Sequence, residues 1–220
     1  MMTPQTANYT ELIERLTPEV TLTLHGISWA TYEELLAAVG EAPALRVSYN
    51  EGVLQATTVA FEHEYFAAFL DRLVGLLSMV LRQKVLFFGR ATMKQQKKLK
   101  GAEPDACFYV QSAAIIGNKF RLDLSVDPPP DIVVEIDLHH DSLSKLPIYA
   151  ALGVPEVWRY DGQELTIYQL QTDQYATVQM SRALPVLTSQ VLTDFLARSQ
   201  QEDQYETLLA FETWLRAQSQ

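Results

Sequence analysis

Between residues 61 and about 82, apolar side chains at Phe61, Tyr65, Phe69, Leu73, Leu76, Leu77, Val80 and Leu81 recur every three or four positions. That is the period of an amphipathic helix with one buried stripe. Upstream, residues 45–49 (LRVSY) and 53–57 (VLQAT) flank Asn50-Glu51-Gly52. This pattern predicts a β-hairpin with a three-residue connection whose glycine takes positive φ. Thr31-Tyr32-Glu33-Glu34 places Thr three residues before Glu, as a capping box requires, and opens a short helix that Gly40 can end. Residues 85–88, 106–110 and 132–136 are short β-prone runs bounded by Gly, Pro or charge, and are expected as central strands. Residues 144–152 read as a helix closed by Gly153, and residues 156–160 as a strand running into an Asp161-Gly162 turn. Residues 165–170 and 175–180 would pair as an outer hairpin. Residues 188–197 and 204–217 read as amphipathic helices, the last burying Leu208, Phe211, Trp214 and Leu215. This order predicts an α/β (α+β) layer fold with a mixed sheet. No repeat or long linker divides the chain, so one domain is expected over 1–220, with helical appendages at 1–44 and 185–220.

Composition narrows the class. With 220 residues, 48% hydrophobic and 20% charged, the chain can bury a substantial core. Its longest apolar-rich stretch, residues 65–81, is interrupted by Asp71 and Arg72, so no run of about 20 apolar residues suits a bilayer. The N-terminus lacks the basic start, apolar middle and cleavage site of a secretory signal, which points to the cytoplasm. Cys107 is the sole cysteine; it excludes an internal disulfide or a cysteine-based zinc cage, and fits a reducing compartment. The net charge of −10 argues against simple wrapping of nucleic acid. Yet seven of the 17 basic residues, Arg82, Lys84, Arg90, Lys94, Lys97, Lys98 and Lys100, form a run with no acid among them. Such a run suits a phosphate-facing segment, and equally a solvated loop that balances acidic neighbours.

The chemistry-bearing stretch is Pro128 to Asp137, PPPDIVVEID. Strand alternation puts Ile132, Val134 and Ile136 on one face, and Asp131, Val133, Glu135 and Asp137 on the other. Three carboxylates on one face need water, basic partners or a bound cation, and water is the ordinary remedy. Glu103-Pro104-Asp105 puts another acid at the head of an apolar strand. If the two strand ends adjoin, Asp105 and Glu135 meet, and paired carboxylates with water suit Mg²⁺ or Mn²⁺. A nearby lysine would complete a site for phosphodiester hydrolysis: the metal polarises a phosphoryl oxygen and lowers the pKa of its water, while the ammonium offsets developing charge. Asp137, His139 and His140 imitate a zinc site, but a further ligand at helical spacing is missing, and a polar loop with Asp141 as N-cap is the simpler reading. Cys107 and His25 read as structural or incidental.

Four blocks in order, Phe88-Gly89-Arg90-Ala91-Thr92, Gly101-Ala102-Glu103-Pro104-Asp105, Pro130-Asp131-Ile132-Val133-Val134-Glu135-Ile136 and Tyr149-Ala150-Ala151-Leu152-Gly153-Val154-Pro155-Glu156-Val157-Trp158, resemble the putative restriction endonuclease family abundant in cyanobacteria, within the PD-(D/E)XK nuclease superfamily. The resemblance spans most of the chain. It implies a restriction-endonuclease-like core, a central mixed sheet flanked by helices, with Asp105 and Glu135 as metal ligands for Mg²⁺ or Mn²⁺. The superfamily's usual lysine, two residues after the second acid, falls at Asp137 in this sequence. Many relatives place a lysine on the following helix instead, so the resemblance transfers the catalytic lysine role to Lys145. Glu62-His63-Glu64 also looks like the family's helix opening, which makes Glu64 a candidate water-mediated metal ligand; an acid in a first helical turn is equally what the helix dipole favours. Gln55 stands where relatives often place Glu.

The leading expectation is therefore a metal-dependent DNA endonuclease, with Asp105, Glu135 and Lys145 at the reaction and Arg90, Lys94, Lys97, Lys98 and Lys100 on backbone phosphates. Cutting both strands needs two active sites, which favours a homodimer. The rival expectation is a catalytically silent member of the fold that binds nucleic acid or protein, suggested by Asp137, Gln55 and the acidic total charge. A metal-dependent hydrolase of a smaller phosphate substrate is the other alternative.

Overall fold

The structure is a computed structural model that describes residues 4–40, 42, 44–138 and 141–218. The His139–His140 pair of the zinc reading lies outside the described residues. Two sheets are present, where the hydrophobic pattern suggests one central sheet.

The first sheet gathers β1 (Thr21–Leu24), β2 (Leu45–Asn50), β3 (Val53–Thr58), β5 (Met93–Gln95) and β6 (Lys100–Ala102), in the order β1-β3-β2-β6-β5, all antiparallel. The β2–β3 hairpin pairs Asn50 with Val53, so its loop is the two residues Glu51-Gly52 rather than three. Both have positive φ, 47° and 95°, the backbone that matches strand twist in a two-residue hairpin. Helix α1 (Pro4–Glu14) and helix α2 (Trp29–Val39) accompany this sheet. The α2 N-cap is Ser28, whose Oγ accepts the Thr31 N–H at 3.1 Å, so the helix begins a turn before the expected Thr31 box. Trp29, Tyr32, Leu35, Val47, Tyr49, Leu54 and Ala56 form the small core between α2 and the sheet.

The second sheet runs β11-β10-β9-β8-β7-β4, from β4 (Leu86–Phe87), β7 (Ala106–Tyr109), β8 (Ile132–Ile136), β9 (Glu156–Tyr160), β10 (Leu165–Gln171) and β11 (Gln174–Val178). Only β8 and β9 pair in parallel, and parallel neighbours need a crossover. A 3-10 turn, Leu143–Lys145, and helix α5 (Leu146–Leu152) supply it. Pro147 lies in the first turn of α5, where its missing N–H costs nothing. The run at 85–88 forms the two-residue edge strand β4 rather than a central one.

Helix α3 (Phe61–Val80) packs on this sheet with α6 (Ser189–Gln201) and α7 (Gln204–Gln218). Ile132, Val134 and Ile136 meet Phe69, Leu70 and Leu73 of α3 and Leu192, Leu196, Phe211 and Leu215 of the last two helices. The C-terminal helices are thus part of the main core. The short α4 (Ala113–Ile116) follows β7. On the opposite face, Cys107, Val133 and Val157 meet Ile148, Tyr149 and Leu152 of α5. The alternation read from the sequence holds, but the acidic face is covered: Asp131, Glu135 and Asp137 are all buried. Among the described residues no helix is long and apolar enough to cross a membrane.

Candidate active site

Strand β7 runs antiparallel to β8 with Cys107 opposite Val133 and Ala106 opposite Val134. One step further the same register sets Asp105 opposite Glu135, and the Asp105 N–H donates to the Val134 carbonyl at 2.9 Å. Directly opposed residues share a face, with Cβ atoms about 4.5–5.5 Å apart. Two acids separated by 30 residues of chain are therefore neighbours because of strand register.

Each has its own partners. Asp105 Oδ1 accepts from Arg46 Nε at 2.8 Å, Oδ2 accepts the Ile136 N–H at 2.8 Å, and His63 Nδ1 stands 3.4 Å from Oδ2. Burial alone would raise this carboxyl, but His63, Arg46 and Lys145 outweigh it and hold Asp105 below the ordinary carboxylate range. Glu135 accepts from Lys145 Nζ at 2.7 Å through Oε2 and from the Tyr149 hydroxyl through Oε1. Burial, together with the charge of Asp105, pushes Glu135 up to about 7 even against the pull of Lys145. Lys145 is itself half-buried, which works against its charge; Glu135 and Asp105 reverse that and raise it. It remains an ammonium at neutral pH.

Lys145 closes the 3-10 turn, and Tyr149 lies one helical turn on, so both reach the same carboxylate. Asp137, at the superfamily lysine's position, instead ties down that turn. It accepts from the Ser142 N–H and Oγ, each at 2.9 Å, and from Arg159 Nε. Ser142 in turn accepts the Lys145 N–H at 2.8 Å. Asp131 also serves structure, accepting the Val110 and Ser112 N–H groups at 2.7 and 2.9 Å. The three carboxylates of the acidic strand thus have three separate duties.

The first sheet contributes the other wall. Arg46 leaves β2 with only 3% of its side chain exposed and bridges Asp105 to Glu64, its Nη2 lying 2.8 Å from Glu64 Oε1. Arg90 Nη1 reaches the same oxygen at 2.8 Å. Glu64 is therefore linked to Asp105 by a guanidinium. From β3, Gln55 Oε1 accepts from Ser144 Oγ at 3.3 Å. Arg46, His63 and Tyr149 were not among the candidates read from sequence. A charged residue inside the apolar alternation of β2 was the available signal for Arg46, and the four-residue spacing from Lys145 was the signal for Tyr149.

The basic run folds back on the protein. Lys94 pairs with Glu33 at 2.9 Å, Lys100 with Glu51 at 3.2 Å, and Lys98 donates to the Ala151 carbonyl at 2.6 Å. Lys97 is exposed on the 3-10 turn Gln96–Lys98 between β5 and β6.

The donor set fits a hard divalent cation at Asp105 and Glu135. Both are buried, directly opposed carboxylates, the oxygen donors such a cation takes, and it is chiefly burial that pushes Glu135 up to about 7. No group of three or more His, Cys, Asp or Glu among the described residues is arranged to hold a metal. Two carboxylates with water in the remaining positions is the coordination Mg²⁺ accepts.

The sequence model of the Uma2 family, described as "Putative restriction endonuclease", matches residues 29–199. Among solved structures, a crystal structure described as a putative nuclease belonging to DUF820, from Anabaena variabilis ATCC 29413, resembles this fold. Its TM-score is 0.51 at 16% identity, over 74% of this chain and 97% of that one. Comparison with curated proteins gives no match.

Proposed function

Since the chain belongs to the Uma2 family of putative restriction endonucleases, we propose that it is a Mg²⁺- or Mn²⁺-dependent endonuclease hydrolysing phosphodiester bonds in DNA. The observation that carries this reading is the contact at 2.7 Å between the half-buried Lys145 and the buried Glu135, beside Asp105. It rebuilds an acid–acid–lysine constellation although the lysine comes from a different element than the superfamily spacing expects.

Asp105 and Glu135 would hold the cation, which when bound supplies positive charge and Lewis acidity to the phosphodiester. The chain's own groups do the rest. Lys145, kept protonated, offsets negative charge as it builds on the phosphoryl oxygens. Tyr149 fixes the Glu135 carboxylate from the side opposite Lys145. The Ile136 N–H and Arg46 fix Asp105, so neither acid needs to reorganise.

A second reading, a catalytically silent nucleic-acid-binding protein, is favoured by one observation: Arg46 and Lys145 already neutralise both acids from within. Supercoiled-plasmid nicking with Mg²⁺ or Mn²⁺ separates the two. Active enzyme nicks, while Asp105→Asn, Glu135→Gln and Lys145→Ala, checked for folding by circular dichroism, fall by about 100-fold or more. Equal nicking by wild type and all three variants, or none by wild type, would sink the catalytic proposal.

A further inference from the structure

A cavity of about 570 Å³ has Arg46, Arg90, Arg121, Phe88, Phe120 and Glu103 among its walls. Three arginines and one acid line it, in a chain whose net charge is −10. The acid is already committed: Glu103 accepts the Val47 N–H at 3.0 Å and the Thr92 hydroxyl at 2.8 Å. Arg46 and Arg90 converge on one oxygen of Glu64, which holds both guanidiniums at the cavity wall. Arg46 also touches Asp105, so one buried side chain links the cavity wall to the candidate reaction centre. At its edge Phe120 is 96% exposed, beside the exposed Arg121.

Two exposed arginines, Arg90 and Arg121, next to an exposed aromatic ring are elements by which proteins grip an unpaired strand. The guanidiniums take phosphates and the ring stacks on a base. The volume falls in the range of about 300–1,000 Å³ that holds a small-molecule-sized group, which suits a splayed nucleotide and not a duplex.

We propose that this cavity binds an unpaired stretch of nucleic-acid strand close to the Asp105–Glu135 site, its phosphates on Arg90 and Arg121 and a base on Phe120. The proposal rests on the nuclease reading and adds to it the strand state and the placement of the substrate.

The test is fluorescence anisotropy of the full chain, without divalent cation, against three probes: a labelled unpaired DNA oligonucleotide, its duplex, and a deoxynucleoside monophosphate as competitor. The unpaired strand should bind more tightly than the duplex. Phe120→Ala should weaken it by about tenfold, and Arg121→Ala should lower the salt slope by about 0.7. Arg216→Ala, a charge-matched change on the exposed face of α7, should bind as wild type. Equal affinity for the duplex, capture of the mononucleotide alone, or wild-type binding by both the Phe120 and Arg121 variants overturns the proposal. Plasmid nicking run alongside keeps the two claims apart. Nicking with unaltered binding in the variants removes the cavity and leaves the endonuclease; absence of nicking with no binding of any probe removes both.

Discussion

Arg46 is the residue whose removal tests the electrostatic account of the site most directly. Replacing it with Met keeps an unbranched side chain of similar reach and deletes the charge. Asp105, with 1% of its side chain exposed, would keep the Ile136 N–H at 2.8 Å and the His63 contact at 3.4 Å, but lose its closest cation. Breaking a buried pair by removing one partner costs about 3–5 kcal/mol, because the remaining charge is desolvated without compensation. A total stability of about 5–15 kcal/mol leaves the variant folded at room temperature. Urea unfolding at pH 7.5 should therefore show Arg46→Met destabilised by about 3–5 kcal/mol. Arg46→Met combined with Asp105→Asn should lose clearly less than the sum of the two single changes, since the buried charge is gone. Millimolar Mn²⁺ should raise the midpoint of Arg46→Met more than that of wild type, the cation offsetting what the guanidinium no longer offsets. A loss below about 1 kcal/mol for the single variant would refute the claim that Asp105 depends on Arg46.

Three further outcomes follow from groups outside the reaction. Burial, opposed by Arg72, pushes the Asp71 carboxyl from 3.8 to about 6, and its Oδ1 has no hydrogen-bond partner. Its native form therefore holds a proton that the unfolded chain releases, so stability is fullest below about pH 4 and falls as pH rises towards 6. Partial exposure reduces the effect to about 1–2 kcal/mol; Asp71→Asn should lose that much less than wild type between pH 4 and 7 in paired urea titrations, and parallel curves would count against it. Gly101→Ala would bring a Cβ to 2.2 Å from the hydroxyl of Tyr32, which is fully buried. A loss of about 1–3 kcal/mol is expected from such overpacking, and an unchanged thermal midpoint would contradict the contact. Burial pushes the Cys107 thiol up to about 12, so iodoacetamide at pH 8 should label the denatured chain and spare the native one. Rapid native labelling would show that β7 opens.

Much of the second sheet was legible because its period is unambiguous. Residues 132–136 and 156–160 form strands with the expected bounds, each a β-rich run stopped by Pro, Gly or Asp. The first sheet was harder to see. β1 is four residues of half-exposed Thr-Leu alternation, and β5 and β6 are three residues each, within and at the end of the basic run. Strands so short carry no period; they form because the β2–β3 hairpin has two edges to pair with, β3 taking β1 and β2 taking β6, which in turn takes β5. The covering of the acidic face was illegible for another reason. Alternation assigns residues to faces, but whether a face meets water or a helix depends on where α5 returns, and that is set by tertiary packing.

The candidate site divides along the same line. In the sequence the meeting of Asp105 and Glu135 stood on the condition that two strand ends adjoin, and on the family resemblance; the antiparallel register of β7 and β8 is what brings them together. Lys145 could not be placed by spacing, since a lysine two residues after Glu135 would share its strand face, whereas this one approaches from the crossover. What makes the exchange workable is Asp137. By anchoring Ser142, and through it the turn that ends in Lys145, Asp137 holds the lysine proposed for catalysis at 2.7 Å from Glu135. The departure from the superfamily pattern and its compensation are thus one structural unit: Asp137→Ala should loosen Lys145 without touching either acid. Its effect on nicking should match that of Lys145→Ala in direction and be smaller in size, because the free ammonium still visits Glu135. A wild-type rate for Asp137→Ala would mean that the turn is held by α5 alone.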